Sequence, residues 1–190
     1  MKKSAELRPL LEPLVLLKKL LHESRSQWML IGGVAVSLLA KPRFTADVDA
    51  VILLEDEELP DFLKAAERLG FKARIRGAIE FAKRNRVLLL KHTKAGINVD
   101  LSLGLLPFEK EALKRSKQFK IANITFNLPT PEDLIIFKAV AHRPRDMEDI
   151  RQILKVHTKI DKKRIEKIVR EFARALEMPE IWQDLKSILS

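Results

Sequence analysis

Two aspartates separated by one residue, Asp47 and Asp49, open an apolar run that continues as Ala50-Val51-Ile52-Leu53-Leu54. On an extended chain residues two apart share a face, so these carboxylates stand roughly 6 to 7 Å apart along the backbone. That spacing lets both converge on one hard cation or on a pair of them, and magnesium takes oxygen ligands while leaving room in its shell for substrate phosphates. Upstream, Trp28-Met29-Leu30-Ile31 stops at Gly32-Gly33. Glycines there let the backbone approach a ligand closely, and a helix beginning at that point presents unpaired N–H groups that favour an anion. A lone Gly-Gly equally serves a plain turn, and an isolated Asp-x-Asp equally sits on a solvated strand end. Their coincidence, with Arg43 and Thr45 alternating on the side of the acids, shifts the reading toward a metal and phosphate site. Asp100 is a third carboxylate, central in the alternating run Ile97 to Leu103, where it needs a salt bridge, a solvated face or a metal.

These residues require a strand, a glycine junction, a buried helix over Val34–Ala40, and a second strand from Asp47 to Leu54 that follows the helix stop at Pro42. At this stretch the chain resembles the nucleotidyltransferase superfamily with the polymerase-beta-like catalytic fold, in particular its AbiEii-like and MenA-like branch associated with toxin–antitoxin systems. The resemblance rests on Gly32-Gly33 followed by Arg43-x-Thr45-x-Asp47-x-Asp49. It extends to Lys138 and Arg145-Asp146-x-x-Asp149, similar to a second block in which lysine usually stands at the position of Arg145. Gly33 stands where many relatives carry serine.

The resemblance implies transfer of a nucleoside monophosphate from a nucleoside triphosphate (NTP) to an acceptor hydroxyl. Asp47, Asp49 and Asp100 are then the catalytic, metal-binding carboxylates, with Asp100 also accepting the acceptor proton. Two Mg2+ ions are implied, with Mn2+ as an alternative. Gly32, Gly33, Arg43, Thr45 and Lys138 become nucleotide-binding candidates, and Asp146 and Asp149 support them. Lys138 either approaches the triphosphate or pairs with Asp146, and the sequence leaves both open. The toxin-type relatives imply RNA, such as a tRNA end, as acceptor. Nucleotidylation of a protein or small molecule, including an antitoxin that modifies its partner, and a catalytically silent nucleic-acid-binding module are the alternatives.

Composition bounds the rest. The 190 residues suit one compact domain or a catalytic domain with a small helical appendage. Lys and Arg exceed Asp and Glu by 36 to 26, and this net charge of +10 suits a polyanionic partner. Much of the excess is local: Lys72, Arg74, Arg76, Lys83, Arg84, Arg86, Lys91 and Lys94 face a single acid, Glu80, and aromatic side chains do not alternate with them in the pattern that marks a base-stacking surface. Cysteine is absent, which excludes disulfides and thiolate metal sites and fits a reducing compartment. The leucine-rich segment Ser4–Ser24 carries too many charges for a membrane span or a signal peptide, so a cytoplasmic protein without membrane contact is expected.

Spacing predicts helices over Leu14–Leu21, Glu57–Leu69, Pro107–Arg115, Pro131–His142, from Pro144, Asp161–Glu177 and Pro179–Leu189. It predicts strands over Phe71–Arg76, Val87–Leu90, Ile97–Leu103, Lys117–Ala122 and Ile124–Leu128. The expected fold is α+β, a small mixed sheet flanked by helices over 1–128, with a helical part over 129–190 packing on the cleft.

Overall fold

The computed structural model describes residues 8–42, 44–121 and 124–189. After a 3-10 turn the chain runs through α1 (Leu11–Glu23), β1 (Trp28–Ile31), α2 (Gly32–Leu39) and β2 (Asp47–Ile52). Next come α3 (Leu59–Arg68), β3 (Phe71–Ala73), α4 (Ala78–Asn85), β4 (Val87–His92) and β5 (Ile97–Leu103). Then follow α5 (Pro107–Arg115), β6 (Lys117–Ile121) and β7 (Ile124–Leu128), before four helices, α6 (Pro131–Ala141), α7 (Pro144–Val156), α8 (Lys162–Ala175) and α9 (Glu180–Leu189).

Five strands form a mixed sheet in the order β1-β2-β5-β4-β3, in which only β2 and β5 run parallel. Alternation along these strands sorts the side chains cleanly. Val48, Ala50 and Ile52 of β2, Val99 and Leu101 of β5, Leu88 and Leu90 of β4, and Phe71 of β3 are all fully buried on one face. They join a single hydrophobic cluster with Leu14, Leu17, Leu20 and Leu21 of α1 and Leu59 and Ala66 of α3. Each such leucine stabilises the fold by about 1.5 to 3 kcal/mol relative to an exposed one. The opposite face carries Asp47, Asp49, Asn98, Asp100, Leu89, Lys91 and Lys72, none of them buried. A second sheet, the hairpin β6-β7, meets the first at β1, where Asn127 Nδ2 donates to the Trp28 carbonyl at 3.2 Å.

The carboxy-terminal helices begin where their sequences say they should. Thr130 caps α6 by accepting the Asp133 N–H at 3.2 Å, with Pro131 next to it, and Asp161 caps α8 by accepting the Arg164 N–H at 3.0 Å. The helix α6 lies against α2, α7 and α8. A hydrogen bond of 2.7 Å joins His157, at the end of α7, to the Leu39 carbonyl at the end of α2.

One segment departs from expectation. The strand predicted over Phe71–Arg76 stops at Ala73, and Ala78–Asn85 is helical where only a basic run had been read. Gly77 and Arg86 both take left-handed backbone, with φ of 64° and 55°, so the chain turns into α4 and out of it within a dozen residues. Ala78 and Ala82, four apart, are the buried side of that helix.

Candidate active site

Register places the acids. Asp49 of β2 has Ile31 of β1 as its cross-strand partner on one side and Asp100 of β5 on the other. Asp47, two residues back on the same face, pairs with Asn98. Asp100, distant in sequence from the other two, thus joins them in adjoining positions on the open face of the sheet. Their charges are felt mutually. Burial pushes the Asp49 carboxyl above its ordinary value and Asp47 adds to the rise, against the opposing pull of Lys138, of a hydrogen bond from the Gly33 backbone, and of Arg143. Burial likewise pushes Asp100 up, opposed by Arg74 and reinforced by Asp49 and Asp47.

The glycine junction is built around Asp49. Gly32 has φ of 62°, and a Cβ placed on it would lie 1.9 Å from Asp49 Oδ2. Gly33 donates its backbone N–H to the same carboxylate. The pair therefore does more than turn the chain: it lets the first turn of α2 close on the second acid of the motif.

Behind Asp49 lies an ion cluster. Lys138 is 5% exposed, and its Nζ contacts Asp146 Oδ1 at 2.7 Å and Asp149 Oδ2 at 3.0 Å. Arg143 Nε reaches Asp146 Oδ2 at 2.6 Å. Burial would raise Asp146, but hydrogen bonds from Arg143 and Lys138, together with their charges, outweigh it and hold its carboxyl below the ordinary value. Of the two roles left open for Lys138, the ion pair with Asp146 is the one the structure contains, and its charge still reaches Asp49.

The remaining candidates divide. Thr45 donates its hydroxyl to the Asp47 carbonyl at 3.1 Å, shaping the entry to β2. Arg145 donates to the Phe44 carbonyl at 3.1 Å, which ties α7 to the loop before β2. Arg43 lies outside the described residues.

Two residues with a place at the site were not singled out in the sequence. Arg143 belongs to the cluster behind Asp49. Arg74 forms an ion pair with Asp100 from the edge strand. Arg143 had a usable signal, since it sits three residues before Asp146 at a helix start, and Arg74 had only its place in a basic run. That run is also more dispersed than its sequence suggests: Arg86 pairs with Asp56 at 2.7 Å and Lys94 with Glu12 at 2.7 Å.

An all-oxygen donor set of mutually repelling, partly desolvated carboxylates suits a hard divalent cation, which would neutralise it. Among the described residues, no group of three His, Cys, Asp or Glu side chains is placed to hold a metal ion as the side chains stand. None of the described helices is long and apolar enough to cross a membrane.

Comparison with solved structures gives the same fold at low identity. The solution structure of the antibiotic-resistance factor ANT(2'')-Ia superposes with a TM-score of 0.59 at 16% identity, covering 88% of this chain and 95% of that one. The lincomycin-bound lincosamide antibiotic adenylyltransferase LnuA gives 0.53 at 14%, covering 76% and 96%. An antigenic nucleotidyltransferase-like protein from Paracoccidioides brasiliensis gives 0.56 at 18%, covering 96% and 93%. No curated protein sequence matches the chain. Residues 6–187 match the family described as nucleotidyltransferase of unknown function (DUF6036), so this chain, with its acids on the open face of the mixed sheet, belongs to that nucleotidyltransferase family.

Proposed function

We propose that the protein transfers a nucleoside monophosphate from an NTP to an acceptor hydroxyl, with Asp47, Asp49 and Asp100 holding Mg2+ or Mn2+, in a two-ion arrangement. The observation that carries this reading is the side-by-side register of Asp49 and Asp100, with Asp47 on the same open face and Gly32 packed against the Asp49 carboxylate. Bound magnesium would supply charge neutralisation at the transferring phosphoryl group and a more acidic acceptor hydroxyl. The chain's own part is positioning. The amino-terminal turn of α2, at Gly32 and Gly33, lies beside Asp49 and is suited to the triphosphate. Asp100 accepts the proton of the acceptor hydroxyl as its oxygen bonds to the α-phosphorus. The bond from that phosphorus to the bridging oxygen breaks, and pyrophosphate leaves. Lys138, Asp146, Asp149 and Arg143 hold Asp49 in place, Thr45 and Arg145 hold the loop before it, and Arg43 is left as a phosphate contact. The helices over 129–190 close one side of this cleft.

RNA is the acceptor we favour, in keeping with the narrower resemblance to the AbiEii-like and MenA-like branch and its toxin–antitoxin role. Support comes from the row Asp47, Asn98, Lys91, Lys72, which runs in register across the open face from the carboxylates to two exposed lysines at the sheet edge. A phosphate-bearing acceptor lying along that row would meet positive charge beyond the catalytic acids. A small-molecule acceptor is the second reading, because two proteins of the same fold are described as an antibiotic-resistance factor and a lincosamide adenylyltransferase.

The test is incubation of the protein with magnesium and each α-labelled NTP, offering total RNA, cell-extract protein and small hydroxylated antibiotics side by side. Label on RNA, falling steeply as salt is raised, is expected. Label confined to an antibiotic or to protein would overturn the RNA assignment, and label on no acceptor would overturn the reaction.

A further inference from the structure

Arg74 belongs to no part of the reaction described above, yet it lies at its centre. Its backbone N–H donates to the Leu89 carbonyl at 3.0 Å, and Leu89 is the cross-strand partner of Asp100. The edge strand therefore delivers Arg74 to the face that carries the carboxylates, and its guanidinium closes on Asp100. Lys72 and Lys91 stand one register step away on the same face, so like charges lie beside the guanidinium while the acids attract it. Both partners remain accessible, Arg74 at 25% and Asp100 at 38% of their side-chain surface.

We propose that Arg74 is a built-in counter-ion that holds Asp100 while the site is free of metal and yields it when a divalent cation binds, so that Arg74 sets the cation affinity of the site. Two observations support the exchange. The guanidinium already neutralises Asp100, whereas the cations that act on Asp49 are Lys138 and Arg143. Moreover, the carboxylate it holds stands in register beside Asp49, with Asp47 on the same face, so a cation shared by these acids would compete with the guanidinium for Asp100. Ion pairs this accessible to water are weak, so a doubly charged ion that also neutralises Asp47 and Asp49 displaces the guanidinium readily. This rests on the reading of Asp100 as a cation ligand.

The experiment measures Mn2+ binding to the nucleotide-free protein, by calorimetry and by the resonance of free Mn2+. Arg74→Gln is expected to tighten binding by about fivefold, the size of one solvent-screened charge pair, while Arg74→Lys stays near the wild type. In the Asp100→Asn background, Arg74→Gln is expected to make no further difference. In the wild type, the Arg74 Nε–H resonance should shift as Mg2+ is added, a readout that needs no variant to fold. Unchanged or weaker Mn2+ binding in Arg74→Gln, with binding still dependent on Asp100, would overturn the exchange and leave the ligand reading standing. Mn2+ binding indifferent to Asp100→Asn would overturn both.

Discussion

Asp133 and Asp49 both sit at the junction of a strand-bearing layer with the carboxy-terminal helices, and the fold treats their charges in opposite ways. Asp133 is fully buried, yet Arg164 Nη1 lies at 2.8 Å, Arg115 Nε at 3.3 Å and the Thr130 hydroxyl at 2.9 Å. It ties α5, α6 and α8 together with its charge cancelled. Among the described residues, Asp49 has the Gly33 N–H and the charges of Lys138 and Arg143 acting on it, and it stands beside two further carboxylates. Burying a charge is tolerable when a partner is present and expensive when one is absent. The fold sets cationic side chains directly against Asp133 and Asp146, whereas among the described residues no cation contacts Asp47 or Asp49, a contrast that suits the cation proposed for that second place.

The contrast can be broken in four ways. Asp49→Asn should lower nucleotide transfer by about a thousandfold, the scale on which loss of one preorganised charge-stabilising group is felt. Its melting temperature should hold or rise at neutral pH. The sign follows from the raised carboxyl: ionised Asp49 weakens the fold above its folded pKa, and that penalty vanishes at pH values below the ordinary carboxylate range, where both states are protonated. Thermal melts across pH check this.

Asp133→Ala should do the reverse, lowering stability by about 3 to 5 kcal/mol because two guanidinium groups lose their buried partner. Denaturant unfolding measures the loss, and kcat measured well below the melting temperature should stay near the wild type.

Gly32→Ala sharpens the comparison, since it touches Asp49 through packing alone. The left-handed backbone costs about 1 to 2 kcal/mol, and the new methyl must push the Asp49 carboxylate aside, at about a hundredfold in rate. A kcat near wild type would show that the close approach of α2 to Asp49 is incidental.

Asp146→Asn should give the smallest effect, in pH dependence. Its lowered carboxyl contributes stability that is present above the ordinary value of 3.8 and is lost as pH falls through the lower folded value. The variant should therefore show a shallower acid limb in its stability profile, alongside a modest loss at neutral pH.

Much of the scaffold was legible because local signals suffice for it. Thr130-Pro131-Glu132-Asp133 announces α6, and the alternation of Ile97 to Leu103 announces β5, whatever the rest of the chain does. The Asp47-x-Asp49 pair and the glycines were equally local. Register was less legible: only the family resemblance, and not spacing, put Asp100 with Asp49, and nothing said that Arg74 reaches Asp100, because those meetings depend on a parallel pairing and on an edge strand that follows α3. The helix α4 was hidden for a related reason. Its apolar side is only Ala78, Ile79, Phe81 and Ala82 amid basic residues, and the left-handed turns at Gly77 and Arg86 that delimit it leave no proline or capping side chain as a marker.

The most direct test of the account sets Asp49→Asn against Asp133→Asn in a single experiment, recording label transfer from an α-labelled NTP and the melting temperature for each. The expected result is that Asp49→Asn melts at or above the wild-type temperature with transfer lowered about a thousandfold, and that Asp133→Asn melts well below it while transfer persists at low temperature. Transfer retained by a folded Asp49→Asn protein would contradict it.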